Sequence, residues 1–199
     1  DLSVVDLVVF DIQDVGTRFY TYISTLFLVL EACAENNIPV IVLDRPNPNG
    51  HFVDGPVLDS RFESFVGIAQ MPMVHGCTVG ELARMFVSEY WVYQRQPLSL
   101  TVIPCLNYTY QTMFVLPVKP SPNLPNLRVI LLYPSLCLFE GTVVSVGRGT
   151  DKPFQWIGHP LCSDGALSLV PRPNAAAKTP PLSGQTCRGY DFSRQSEDS

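Results

Sequence analysis

The sequence predicts an α/β fold: a parallel sheet with flanking helices and long Pro/Gly-rich loops. Three observations carry this: two short apolar, β-branched runs each ending in an aspartate, a helical pattern between them, and prolines and glycines gathered into discrete loops. With 46% hydrophobic and 16% charged residues over 199 positions, the chain is too apolar to remain disordered and too poor in charge for a coiled coil.

Val4 to Phe10 (VVDLVVF) has the composition of a strand buried on both faces, and it runs into Asp11. Residues 20 to 36 then place Leu26, Val29, Leu30 and Cys33 at helical spacing, with Asn36 and Asn37 as stop signals. Pro39 to Leu43 is a second apolar strand ending in Asp44, so residues 4 to 44 form one βαβ unit with a right-handed crossover. DRPNPNG (44 to 50) and DGP (54 to 56) are turn signals that mark a surface excursion. Thr78 with Glu81 three residues later is a capping box that opens the helix TVGELARMFVSEYW (78 to 91), and Leu98 to Ile103 is a third strand. PVKPSPNLPN (117 to 126) is a pinned extended loop. Leu127 to Phe139 is apolar enough for strand or helix, Val143 to Val146 reads as a strand, and the tail beyond 158 has no strong period.

Charge and motif content exclude several functions. A net charge of −5 with only 13 Lys and Arg argues against a nucleic-acid partner. The six cysteines, at 33, 77, 105, 137, 162 and 187, form no CxxC pair and read as reduced, buried side chains, so no metal is expected. The first loop, DIQDVGTRFY, has a single glycine where a dinucleotide fold needs three, and neither a Walker A nor a G-x-S-x-G motif occurs. No cofactor is expected, and no apolar run is long enough to span a membrane.

In an open α/β sheet the ligand crevice lies beyond the carboxyl ends of the strands. Asp11 and Asp44 end the first two strands, with Asp14, Arg18 and Arg45 in the same loops. The two aspartates either face a ligand or cap helices and pair with the neighbouring arginines. Glu140 follows the apolar stretch LLYPSLCLF, which suggests either a low-dielectric wall that would favour a general acid or a surface carboxylate at an element end. Arg148, among small residues, has room to reach an anion, or to pair with Asp151. His75 lies in the loop ahead of the helix at 78, a position suited to a ligand contact, although a hydrogen-bonded loop histidine is the commoner case.

The runs FDIQDVGTRFYTY (10 to 22), VIVLDRPNPNG (40 to 50), DGPVLD (54 to 59), VHGCTVGELA (74 to 83), KPSPNLPN (119 to 126), YPSLCLFEGTVVSVGRGTDKPFQWIGHP (133 to 160) and PPLSGQTCRGYD (180 to 191) closely resemble the exo-β-N-acetylmuramidase family of the NamZ type. The resemblance implies a Rossmann-like catalytic domain beside a smaller auxiliary domain. It implies release of N-acetylmuramic acid from the non-reducing end of peptidoglycan fragments, and a secreted or periplasmic setting. Family members are about twice this length and carry a Glu-His-Gly motif before the first strand that is absent here. On that basis residues 1–158 are a catalytic domain without its N-terminal part, and 159–199 a linker or the start of the auxiliary domain. Arg188 stands where the family usually has an aromatic residue, and Cys77 where methionine is common.

Glycoside hydrolysis usually needs two carboxyl groups around an oxocarbenium-like transition state. Joined to the resemblance, this makes Glu140 the acid and Asp11 or Asp14 its partner, as base, nucleophile or orienter of the substrate's acetamido group. The lactyl carboxylate of muramic acid calls for a cation, from Arg148, Arg45 or Arg18, with His75 and Asn123 as secondary contacts to sugar hydroxyls. The competing reading is a non-catalytic peptidoglycan- or sugar-binding module.

Overall fold

The computed structural model describes residues 2–89 and 97–194. Two compact units follow each other along the chain, Asp1–Phe114 and Val115–Ser199. The division at 114/115 lies well before the boundary at 158 expected from sequence.

The first unit is the α/β body. Strands β1 (Val8–Phe10), β2 (Val40–Leu43) and β3 (Leu100–Ile103) pair in parallel in the order β1-β2-β3, with Val8 opposite Val40 and Val40 opposite Leu100. Helix α1 (Tyr22–Asn36) connects β1 to β2, and α2 (Val79–Ser88) lies between β2 and β3. Asn37 ends α1 in the left-handed conformation at φ 54, which returns the chain to β2. The expected capping box is present: Thr78 Oγ1 accepts the Glu81 N–H, and Glu81 Oε2 accepts the Thr78 N–H at 2.8 Å. Tyr90 and Trp91, at the end of the helix read from sequence, lie outside the described residues.

Ile23, Leu26 and Leu30 of α1 and Leu82 and Phe86 of α2 close over Phe10, Val40 and Val42 in one core. The Phe27 and Phe86 rings meet edge to face at 5.2 Å. Each of these large side chains contributes roughly 1.5–3 kcal/mol by leaving water.

The first strand is shorter than its composition suggests. Leu2–Val4 is a 3-10 turn with Val4 83% exposed, and β1 borders the described sheet with Val9 53% exposed, so burial on both faces does not hold. Apolar composition reports burial, and here one face and one edge of the strand lack a described neighbour.

In the second unit the ambiguous stretch is helical: α3 (Leu127–Leu136) opens on Asn126, whose Oδ1 accepts the Val129 N–H, and it runs on into a 3-10 turn at Cys137–Gly141. The strand expected at Val143–Val146 does not form. Val143 is exposed, and only Ser145 makes a bridge, to Gly158. The chain then turns through Gly147, at φ +81, where an added Cβ would lie 2.2 Å from the Lys152 carbonyl oxygen. Within the described tail, β4 (Trp156–His159), β6 (Cys187–Asp191) and β5 (Leu167–Leu169) form an antiparallel sheet in that spatial order. Trp156 is fully buried under it. Among the described residues no helix is long and apolar enough to cross a membrane.

Candidate functional site

At the carboxyl ends of β1 and β2 three loops are stitched together by side chains. The Thr17 to Val74 bridge and the bond from the Arg18 N–H to the Met73 carbonyl (2.8 Å) join the first loop to residues 73–75. Asn47 Nδ2 donates to the Cys77 carbonyl, and Asn49 Nδ2 donates to the Val15 carbonyl. Gly16, at φ +82, packs so closely on Asn47 that a Cβ would come within 2.3 Å of its Oδ1. Asn47 and Asn49 are almost fully buried, and sequence reasoning missed them as anything but turn formers. The signal was present in their spacing, two amides in PNPNG with more hydrogen-bonding groups than a single turn can use.

Inside this frame Asp14 is 3% exposed. Its Oδ2 accepts the Gly16 N–H at 2.7 Å, and His75 Nε2 approaches the same oxygen at 3.3 Å, off the axis of a good hydrogen bond. His75 Nδ1 accepts the Cys77 N–H at 3.2 Å, so in the neutral ring the proton sits on Nε2, facing the carboxylate. Asp14 Oδ1 is buried and has no hydrogen-bond partner among the described residues. His51, Phe52, His75, Gly76 and Tyr110 line a cleft of about 360 Å³ beside this cluster. A larger hollow of about 470 Å³, walled by Phe27, Glu63 and Gln70, contains none of the cluster residues.

The other strand-end groups have partners within the protein. Asp44 caps α2: Oδ1 accepts the Gly80 N–H at 2.7 Å and Oδ2 accepts the Thr78 hydroxyl at 2.8 Å. Asp11 pairs with Arg45 at 2.6 Å on the surface. Arg18 is buried, its terminal nitrogen donating to the Pro56 and Met71 carbonyls, so it ties the excursion loop to the first loop. His75 is buried, with Nδ1 on the Cys77 N–H and Nε2 near Asp14, and it also lines the cleft.

In the second unit Glu140 sits in the 3-10 turn with its side chain one-third exposed, rather than set in an apolar wall. Arg148 Nε donates to its Oε1 at 2.5 Å, and the Cys137 thiol lies 3.2 Å from its Oε2. Arg148 pairs with Glu140, not with Asp151. Burial, opposed by a hydrogen bond from Tyr133, pushes the Cys137 thiol up to about 12, so it stays protonated and can donate. Asn123 is buried, its Nδ2 donating to the Ala176 carbonyl at 2.9 Å.

Residues 1–128 match the family model described as Exo-beta-N-acetylmuramidase NamZ, N-terminal, and residues 131–199 match its C-terminal counterpart. The chain is 43% identical over 207 residues to the Peptidoglycan beta-N-acetylmuramidase NamZ of Bacillus subtilis (strain 168), covering 96% of this chain and 49% of that protein. Two crystal structures of DUF1343 family proteins from Bacteroides fragilis NCTC 9343 are similar. One superposes with a TM-score of 0.93 at 51% identity, over 97% of this chain and 55% of that one. The other has a TM-score of 0.81 at 28% identity, over 94% and 53%. The chain thus spans about half the length of these relatives. Matched by both models in chain order, it belongs to the exo-β-N-acetylmuramidase NamZ family.

Proposed function

We propose that this chain carries part of the machinery of a glycosidase that releases N-acetylmuramic acid from the non-reducing end of peptidoglycan fragments, and that Asp14 is the carboxylate through which its first unit acts. Family membership and the activity named for the Bacillus relative support the substrate class. The observation that carries the residue assignment is the unpartnered Oδ1 of Asp14.

A buried acceptor without a donor costs about 1–3 kcal/mol, so it asks for a partner from outside the protein. Asp11 and Asp44 are each committed to an arginine or a helix end. His75 Nδ1 accepts the Cys77 N–H, and its Nε2 lies 3.3 Å from Asp14 Oδ2. Asp14 keeps one oxygen for an O–H or N–H of the substrate. In glycoside hydrolysis a carboxylate so placed accepts a proton from water, attacks the anomeric carbon, or holds the N–H of the 2-acetamido group.

The test is incubation of the chain with a disaccharide bearing N-acetylmuramic acid at its non-reducing end, with products analysed by mass spectrometry. Release of the free sugar is expected, and Asp14→Asn should slow it by at least about 100-fold, the usual scale for losing a catalytic proton acceptor. Turnover unchanged in the variant removes Asp14 from this role. Binding without release by the wild-type chain overturns the hydrolase reading in favour of a sugar-binding module, which the engagement of Asp11, Asp44 and Glu140 would then explain.

A further inference from the structure

The loop 145–154 is built to hold one side chain still. Ser145 and Gly158 exchange backbone hydrogen bonds, the Phe154 N–H returns to the Val146 carbonyl, and the Thr150 N–H and hydroxyl both close on the Gly147 carbonyl. Lys152, the other cation of the loop, is tied to Asp191 and Ser193. Phe154 is fully buried with φ +51, a backbone conformation a bulky residue adopts only when its surroundings enforce it. Its ring packs edge to face on Tyr133 at 4.9 Å, and the Arg148 guanidinium carbon lies 5.0 Å from its centroid.

Arg148 is therefore fixed twice, by cation–π contact with Phe154 and by Nε donation to Glu140. Both oxygens of Glu140 are engaged, one by Arg148 and one by Cys137. The side chain of Arg148 is about one-third exposed, and among the described residues its two terminal nitrogens have no hydrogen-bond partner. These form the outer edge of the fork, the geometry that grips a carboxylate with two parallel N–H···O bonds.

We propose that Arg148 is a specificity-determining residue that binds the carboxylate of an acidic sugar, and that Glu140 is the positioning residue that aims it rather than the proton donor. Assigning that carboxylate to the lactyl ether of muramic acid rests on the muramidase reading above. A glucosamine analogue lacks only this group. Because Glu140 already neutralises part of the guanidinium charge, the ligand carboxylate gains less than it would from a free arginine, so the preference should be moderate.

The test is titration calorimetry of the chain with N-acetylmuramic acid and with N-acetylglucosamine. The wild-type chain should prefer the lactyl sugar by about tenfold, the scale of one charge-assisted bidentate contact. Arg148→Ala should bring the ratio close to one without weakening N-acetylglucosamine binding, and Arg148→Lys should not restore it, since an ammonium cannot form the fork. Glu140→Ala should lower the ratio severalfold, and Glu140→Gln, whose amide oxygen still accepts from Nε, should recover part of it. Should Glu140→Ala fail to fold, the Arg148 variants and the wild-type ratio still decide.

Equal affinity of the wild-type chain for both sugars, or a preference that survives Arg148→Ala, overturns the proposal even if the chain hydrolyses muramides. A preference lost in Arg148→Ala in a chain without turnover upholds it and refutes the hydrolase reading alone.

Discussion

A buried histidine beside a buried carboxylate can act by holding that carboxylate in place. His75 is such a residue, with Nδ1 under the Cys77 N–H and Nε2 beside Asp14. Replacing it tests whether the approach to Asp14 stabilises the carboxylate. His75→Leu should cost about 1–3 kcal/mol by leaving Asp14 Oδ2 with the Gly16 N–H alone, and His75→Gln, whose amide can reach the same oxygen, should cost clearly less. Urea unfolding measures both, and equal losses would mean that the 3.3 Å approach contributes nothing. None of this was legible beforehand, because the three residues involved lie in loops some 60 positions apart and their meeting depends on how those loops fold. What could be read from sequence was that acidic groups gather at the strand ends. Which of them is left with a free oxygen could not.

At the level of elements, local signals were reliable and long-range ones were not. The Thr78–Glu81 box and the Asn37 stop depend on residues within one turn, and both form as read. The stretch 127–136 was undecidable by periodicity, since nearly every position is apolar and Pro134 weakens a helical reading, yet Asn126 is a clear cap in retrospect. Strands β5 and β6 went unseen because antiparallel partners some 20 residues apart leave little local pattern in three to five residues.

The first turn of α2 also has a non-local anchor, Asp44 at the end of β2. Thr78→Ala should cost about 1 kcal/mol, as for an ordinary cap, and Asp44→Ala about 1.5–3 kcal/mol because a charged acceptor is lost from three donors, the Arg45 and Gly80 N–H groups and the Thr78 hydroxyl. Denaturant titration of the two variants gives the comparison. A smaller loss for Asp44→Ala than for Thr78→Ala would show that the strand-to-helix link is incidental.

For the molecule as a whole, alkaline pH acts through thiols held neutral. Burial, with the charge of Glu81 added, pushes Cys77 up to about 11, and burial does the same for Cys105, while Cys137 stands at about 12. Above the ordinary thiol value of 9.0 the unfolded chain releases protons that the folded chain retains, so stability is full below that pH and falls as pH rises toward 11 to 12. Unfolding free energies measured at pH 8 and at pH 10 should differ in that direction, and Cys137→Ala should flatten the slope. An unchanged or rising stability would mean that these thiols are wetter than their packing suggests. Glu81 and Glu140 lie only four and three residues from Cys77 and Cys137, but how deeply each thiol is packed is set by the tertiary fold.

Strand β1 bears on how the protein must be handled. Among the described residues its outer border has no strand partner, and Val9 and Leu7 beside it are substantially in water. Wherever that border is left unpaired it is a template for a strand from another polypeptide, so dispersity measured against concentration reports whether it is covered.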